Sequence, residues 1–288
     1  HSPFGLSCCS QPNFHRPPPN AISMNYGPIT ADYDWCEQNF KITSYIAEFY
    51  NTISSVPVAF GGFFFLKQAL QYNYGTRFIL SSLALAIIGI GSIAFHGTLT
   101  RAGQVLDEVP MLFGSLLFLY VSSCNAMSLQ TENKWSNTLA IVLTCLGIVS
   151  LYFYFYVGFV YFILIYTATV ALLFLVTLYH LNPHSHARKY AITAIGFYAG
   201  GFLCFWIPEQ VMCGNRLVDH HETGLLALPV PLHAFFHITS AIGPVCMLTY
   251  LSFEHLAKRK RNPTIDIETW MCNTVHVPYV IPTQSKIV

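Results

Sequence analysis

The chain has 288 residues, of which 53% are hydrophobic and only 9% charged, against about 25% charged in a soluble globular domain. Fourteen basic side chains oppose thirteen acidic ones, a net charge of +1, which excludes the basic footprint needed to grip nucleic acid. A mean hydropathy of +0.47 leaves more apolar surface than one water-soluble core of this size can hide, so the composition is that of a multi-spanning membrane protein.

Residues 1–30 open on His1, are rich in proline and serine, and predict a flexible extension. A polar run follows, Asp34-Trp35-Cys36-Glu37-Gln38-Asn39. Seven stretches then approach the roughly 20 apolar residues that a transmembrane helix needs. They run from Tyr45 to Leu66, Phe78 to Phe95, Val105 to Cys124, Thr138 to Tyr156, Phe159 to Tyr179, Tyr190 to Ile207 and Val230 to Phe253. The fourth and fifth come from one uncharged stretch, too long for a single crossing, that must turn near Gly158. Residues 256–288 join the basic run Lys258-Arg259-Lys260-Arg261 to polar and proline residues without a periodic apolar face, and read as a tail.

The expected architecture is therefore an all-α, seven-transmembrane helix bundle over residues 31–255, with its termini on opposite sides of the membrane. Basic residues in the loops set the orientation. The N-terminal face carries Arg16, Lys41, Arg101 and Arg216. The opposite face carries Lys67, Arg77, Lys134, Arg188, Lys189, the four of the 258–261 run and Lys286. Four against ten predicts a lumenal or extracellular N-terminus and a cytosolic C-terminal tail.

Charge inside hydrocarbon costs about 2.5 kcal/mol or more per residue, so ionisable groups near the spans are candidates for function. Glu48 starts span 1, Ser92 and His96 end span 2, Asp107 and Glu108 start span 3, and His233 and His237 start span 7. The topology brings all of them to one layer on the lumenal face. His233 and His237 leave one helix face a turn apart and can chelate one ion. A bare pair of this spacing is a weak signal, but His96 completes a three-histidine set with an open fourth position, the arrangement of catalytic zinc. Such an ion makes water a nucleophile at neutral pH. Asp107 or Glu108 can serve as proton acceptor, and because the two point about 100° apart on a helix, only one can face the site. Ser92, one turn before His96, can stabilise an oxyanion or simply pack helices. Asp34, Glu37, Asn39, Glu48 and the Trp35 carbonyl supply enough oxygens for calcium, although the same run also reads as a helix-capping acidic turn.

Asp34-Trp35-Cys36-Glu37, then Tyr45-Ile46-Ala47-Glu48-Phe49 with Asn51 and Thr52, then Gly91-Ser92 with Phe95-His96, then Leu106-Asp107-Glu108 with Pro110-Met111, and finally His233-Ala234 with His237 follow one family's order and spacing. The constellation resembles the alkaline ceramidases, membrane hydrolases of a superfamily that includes the adiponectin receptors. The resemblance spans residues 34–251. It implies a zinc-dependent amidase that cleaves ceramide, drawn from the lipid bilayer, into a sphingoid base and a fatty acid. By position it assigns zinc to His96, His233 and His237, and catalysis to Asp107 and Ser92. It assigns calcium to Asp34, the Trp35 backbone oxygen, Glu37, Asn39 and Glu48. It also implies a disulfide between Cys36 and Cys213, which an oxidising lumen permits, and an endoplasmic reticulum or Golgi membrane. A receptor with a mainly structural zinc site and a hydrolase of other lipids are the alternatives. Two positions depart from the family pattern: Phe235-Phe236 between the last histidines, and Glu209, expected in the loop between spans 6 and 7. Both are expected near the lipid entrance and away from the metal ligands.

Overall fold

Seven helices in the computed structural model are long and apolar enough to cross a membrane, and residues 28–213, 231–270 and 275–283 are described. They are α1 (Phe49–Gln71), α2 (Thr76–Thr98), α3 (Arg101–Ala126), α4 (Leu129–Val157) and α5 (Phe159–Tyr179). The sixth span joins α6 (Arg188–Gly201), a π-helical stretch (Phe202–Trp206) and α7 (Ile207–Cys213), and the seventh is α8 (Leu232–Lys258). All seven expected crossings are present. The predicted extension falls almost wholly outside the described residues.

Local chemistry sets the helix ends. Thr100 and Ser128 cap α3 and α4, their hydroxyls accepting from Gly103 N and Thr131 N, each at 3.2 Å, which satisfies amides that have no partner within the helix. Glu37 serves α1 from a distance, accepting from the backbone amides of Tyr50 at 2.7 Å and Asn51 at 2.9 Å. The turn between α4 and α5 is at Gly158, whose φ of 86° suits a residue without a side chain.

Lipid tails are as apolar as leucine, so close packing of small residues rather than hydrophobicity draws spans together. A Cβ on Gly62 would lie 2.2 Å from Ala86 N, and one on Gly89 would lie 2.1 Å from Ala59 N; these two contacts zip α1 to α2. Gly91 does the same for α2 and α3, since a Cβ there would lie 2.1 Å from the Leu106 carbonyl oxygen. The helices α1, α2, α3 and α8 form the packed interior, while α4 and α5 present exposed apolar residues such as Tyr152, Leu164 and Leu175 outward, as a bilayer requires.

The C-terminal region differs from the expected tail. Strands β1 (Pro263–Trp270) and β2 (Val275–Pro282) pair antiparallel, with Ile265 opposite Val280. Val280 is fully buried in the core against α1 and α8. The Tyr74 hydroxyl donates to its carbonyl and accepts from its amide at 3.1 Å, and Gln68 donates to Glu268 at 2.9 Å. This hairpin closes the end of the bundle about 35 Å, the length of α1, from the start of that helix.

Candidate metal centre and lipid cavity

α2 ends and α8 begins at the same level, so His96 meets His233 and His237. All three are buried, at 1%, 4% and 6% exposure, and one nitrogen from each lies within 4.8 Å of the others. His237 Nδ1 is 3.1 Å from the Asn51 carbonyl and 3.0 Å from the hydroxyls of both Ser54 and Ser55. A carbonyl only accepts, so Nδ1 carries the proton and Nε2 keeps its lone pair. His96 Nδ1 contacts the Glu48 carboxylate, and by the same reasoning its lone pair is on Nε2, a buried atom with no hydrogen-bond partner. His233 Nδ1 is likewise buried and unpartnered. Unsatisfied imidazole lone pairs converging in an apolar interior are costly without a ligand. Three buried imidazoles, two of them held by outer hydrogen-bond partners, fit a zinc-type ion.

Asn51 appears in the sequence only as part of the family pattern, with no role assigned, and Ser54 and Ser55 were not singled out. They repeat at i, i+3 and i+4 within an apolar span, and that polar face is the signal that points to them.

Ser92 and Asp107 reach the same place. The Ser92 hydroxyl pairs with Ser55 Oγ at 2.9 Å, and both Ser92 and Asp107 line a cavity together with His233 and His237. Glu108 lines the same cavity, but its Oε1 is tied into a separate network: Gln104 donates to it at 2.9 Å, and Gln104 in turn accepts from the Asp32 amide at 2.8 Å. No hydrogen bond from the described residues reaches the Asp107 carboxyl. The cavity has an internal volume of about 140 Å³ and opens into a wider recess. It extends from His237 to Met247 along α8, roughly 15 Å at the helical rise, between aliphatic and aromatic walls that include Phe118, Leu173 and Phe174.

The segment before α1 packs against this centre. Glu48 accepts from the Trp35 amide at 3.0 Å and from the Asn51 side chain at 3.1 Å, and Asn39 donates to Asp34 at 2.9 Å. Asp34 also bonds to Glu48, and Glu37 is near enough to repel it. Burial raises Glu37 above the usual carboxylate range, against the pull of the Tyr50, Asn51 and Phe49 amides. The Asn39 side-chain oxygen is buried without a donor. Three crowded carboxylates and an idle amide oxygen fit a hard cation, although Glu37 and Glu48 already spend part of their acceptor capacity on the protein.

Cys36 Sγ lies 3.9 Å from the Glu209 carbonyl oxygen, one turn before Cys213, whose side chain lies outside the described residues. The expectation for Glu209 is corrected. The sixth span continues through its π-helical stretch into α7, which carries Glu209 as a buried residue rather than a loop residue. Its carboxylate accepts from the Cys36 amide at 3.1 Å and from the backbone amide of His233, so it does touch a candidate ligand residue. Phe236 lines the cavity, whereas Phe235 faces outward against Phe205.

A seven-span bundle with buried histidines, a serine and an aspartate at the head of an apolar cavity defines an intramembrane enzyme. Residues 27–281 match the family model described as Ceramidase, and the chain belongs to that family. It is 29% identical over 249 residues to an alkaline ceramidase of Arabidopsis thaliana, covering 85% of this chain and 92% of that one. Alkaline ceramidase 3 of Mus musculus is 28% identical over 225 residues, 76% and 81% of the two chains. Alkaline ceramidase 1 of the same species is 26% identical over 268 residues, 90% and 93% of the two chains.

Proposed function

We propose that the protein is a zinc-dependent amidase that hydrolyses the N-acyl bond of ceramide, releasing a sphingoid base and a fatty acid. The observation that carries this reading is the continuity of the polar head of the cavity, where Ser92, Asp107, His233 and His237 meet, with a long apolar arm. An amide between two hydrocarbon chains suits that shape. His96, His233 and His237 hold the ion, which when bound supplies Lewis acidity and water activation at neutral pH. Asp107, the carboxylate left free by its surroundings, accepts the proton of the attacking water. It then delivers that proton to the departing amine nitrogen as the C–N bond breaks. The Ser92 hydroxyl, positioned by Ser55, donates to the oxygen that gains charge at the amide carbonyl. The aromatic and aliphatic walls exclude bulk water, which strengthens each of these interactions.

Asp34, Glu37, Asn39, Glu48 and the Trp35 backbone oxygen are assigned to calcium, supported by the crowding of their carboxylates. A disulfide from Cys36 to Cys213 is supported by the approach of Cys36 to the Glu209 turn. The positive-charge bias supports a lumenal site and a cytosolic hairpin, in an endoplasmic reticulum or Golgi membrane. The protein itself is an integral, multi-pass membrane protein.

The test is turnover of a panel of ceramides and phospholipids by purified wild type beside His233→Ala, with metal content measured on the same samples. Ceramide hydrolysis that vanishes together with zinc is expected. Bound zinc without turnover of any lipid overturns the amidase.

A further inference from the structure

A second cavity, of about 680 Å³, opens at the hairpin end of the bundle and shares no lining residue with the first. It is a cleft between α2, α3 and α4, bounded at one end by His255 and Arg259 of the α8 terminus. Because α4 packs on α3 and α5 and scarcely on α2, the α2 side is uncovered and Leu80 is exposed there. Its wall is apolar, built by Leu80, Phe113, Leu117 and Leu143, and Arg77 and Arg259 stand at its mouth.

The charge at that mouth does not balance. Glu132 is a buried carboxylate shared by three cations: Arg77 at 2.8 Å, Arg259 at 2.7 Å and Lys258 at 2.6 Å. Three positive charges less one negative leave a surplus of two, and among the described residues no second carboxylate pairs with these cations. Arg77 Nη1 is buried and makes no hydrogen bond. Gathering like charges in a low-dielectric region is unfavourable unless a further anion offsets them. Guanidinium forks match phosphate oxygens in geometry as well as charge.

We infer that this cleft binds one anionic phospholipid of the bilayer, its phosphate held by Arg77 and Arg259 and an acyl chain lying along Leu80, Leu117 and Leu143. A net-negative headgroup is preferred because the surplus charge is positive, and basic pockets between membrane helices are suited to such headgroups. The site ties together the far ends of α2 and α8, the two helices that carry the histidines.

Native mass spectrometry of detergent-purified protein offered equimolar phosphatidylglycerol and phosphatidylcholine reads the preference directly. Wild type is expected to retain one phosphatidylglycerol with a preference of about tenfold. Arg77→Gln with Arg259→Gln is expected to abolish the preference while bound-metal content stays close to wild type, with thermal unfolding lowered because the buried Glu132 keeps only Lys258. Ala140→Trp fills the apolar arm without touching the ion cluster, and is expected to lower retention of the lipid. It decides the question alone if the arginine variant does not fold. Equal retention of the two lipids by wild type, or a preference that survives in the folded variants, overturns the inference. Displacement of the lipid by millimolar inorganic phosphate also overturns it, because the cleft would then be a plain anion site.

Discussion

The indole of Trp35 lies flat on the imidazole of His233, with ring centroids 3.5 Å apart and planes inclined by 17°. His233 Nδ1 has no hydrogen bond, so ring packing holds the imidazole on that side, and Trp35 is the nearest of the rings around it. Aromatic pairs contribute about 0.5–1.5 kcal/mol beyond burial. Trp35→Ala is expected to weaken metal retention against a competing chelator by up to about tenfold on that scale, and Trp35→Phe to recover part of the loss. Unchanged retention in the alanine variant would show that the stack does not hold the ligand.

Glu48 joins the segment before α1 to His96. Loss of a partner behind a ligating histidine typically costs about 10- to 100-fold in metal affinity. Glu48→Gln should fall in that range and lower activity in parallel. Glu37→Gln leaves His96 untouched, so it is expected to impair calcium response with much less effect on zinc content. Equal zinc loss in both variants would separate Glu48 from this linking role.

Asp107 and Glu108 are adjacent, yet their expected phenotypes differ. Asp107→Asn removes the proton carrier and should lower turnover by about 10²- to 10⁴-fold with little change in unfolding. Glu108→Gln disturbs a buried network with Gln104 and should cost about 1–3 kcal/mol of stability, with activity largely retained per folded molecule. The reverse pattern would exchange their roles.

Gly91→Ala tests the spacing between α2 and α3. The added methyl would lie 2.1 Å from the Leu106 oxygen and 2.7 Å from the Asp107 amide, so α3 must move and carry Asp107 away from Ser92 and the histidines. Ceramide turnover is expected to fall by at least about 100-fold, as misplacement by an ångström allows, while bound metal is retained. Wild-type turnover would mean that the helices tolerate the shift.

The spans and the three histidines were legible because each has a short-range signature: apolar runs of bilayer length, a glycine where the chain must turn, and ionisable groups at one predicted depth. The hairpin was not legible. Ile265 and Ile267 do alternate with polar residues, yet only Ile265 packs on the core while Ile267 is exposed, and the surface that the hairpin covers comes from α1 and α8, which no local pattern reveals. Glu209 was misplaced because Pro208 reads as the end of a span, whereas the π-helical turn before it carries the helix onward. The roles of Asn51, Ser54 and Ser55 depend on a histidine more than 180 residues away, and spacing cannot anticipate such a meeting.

The order in which the chain is made also matters. His96 is carried by the second span and His233 and His237 by the seventh, so during synthesis one histidine waits while five further helices are threaded into the bilayer. No three-point grip on an ion exists until α8 docks. Under the proposed zinc-dependent function, the metal would load last and the nascent protein would stay inert toward the lipids around it until the final helix is in place.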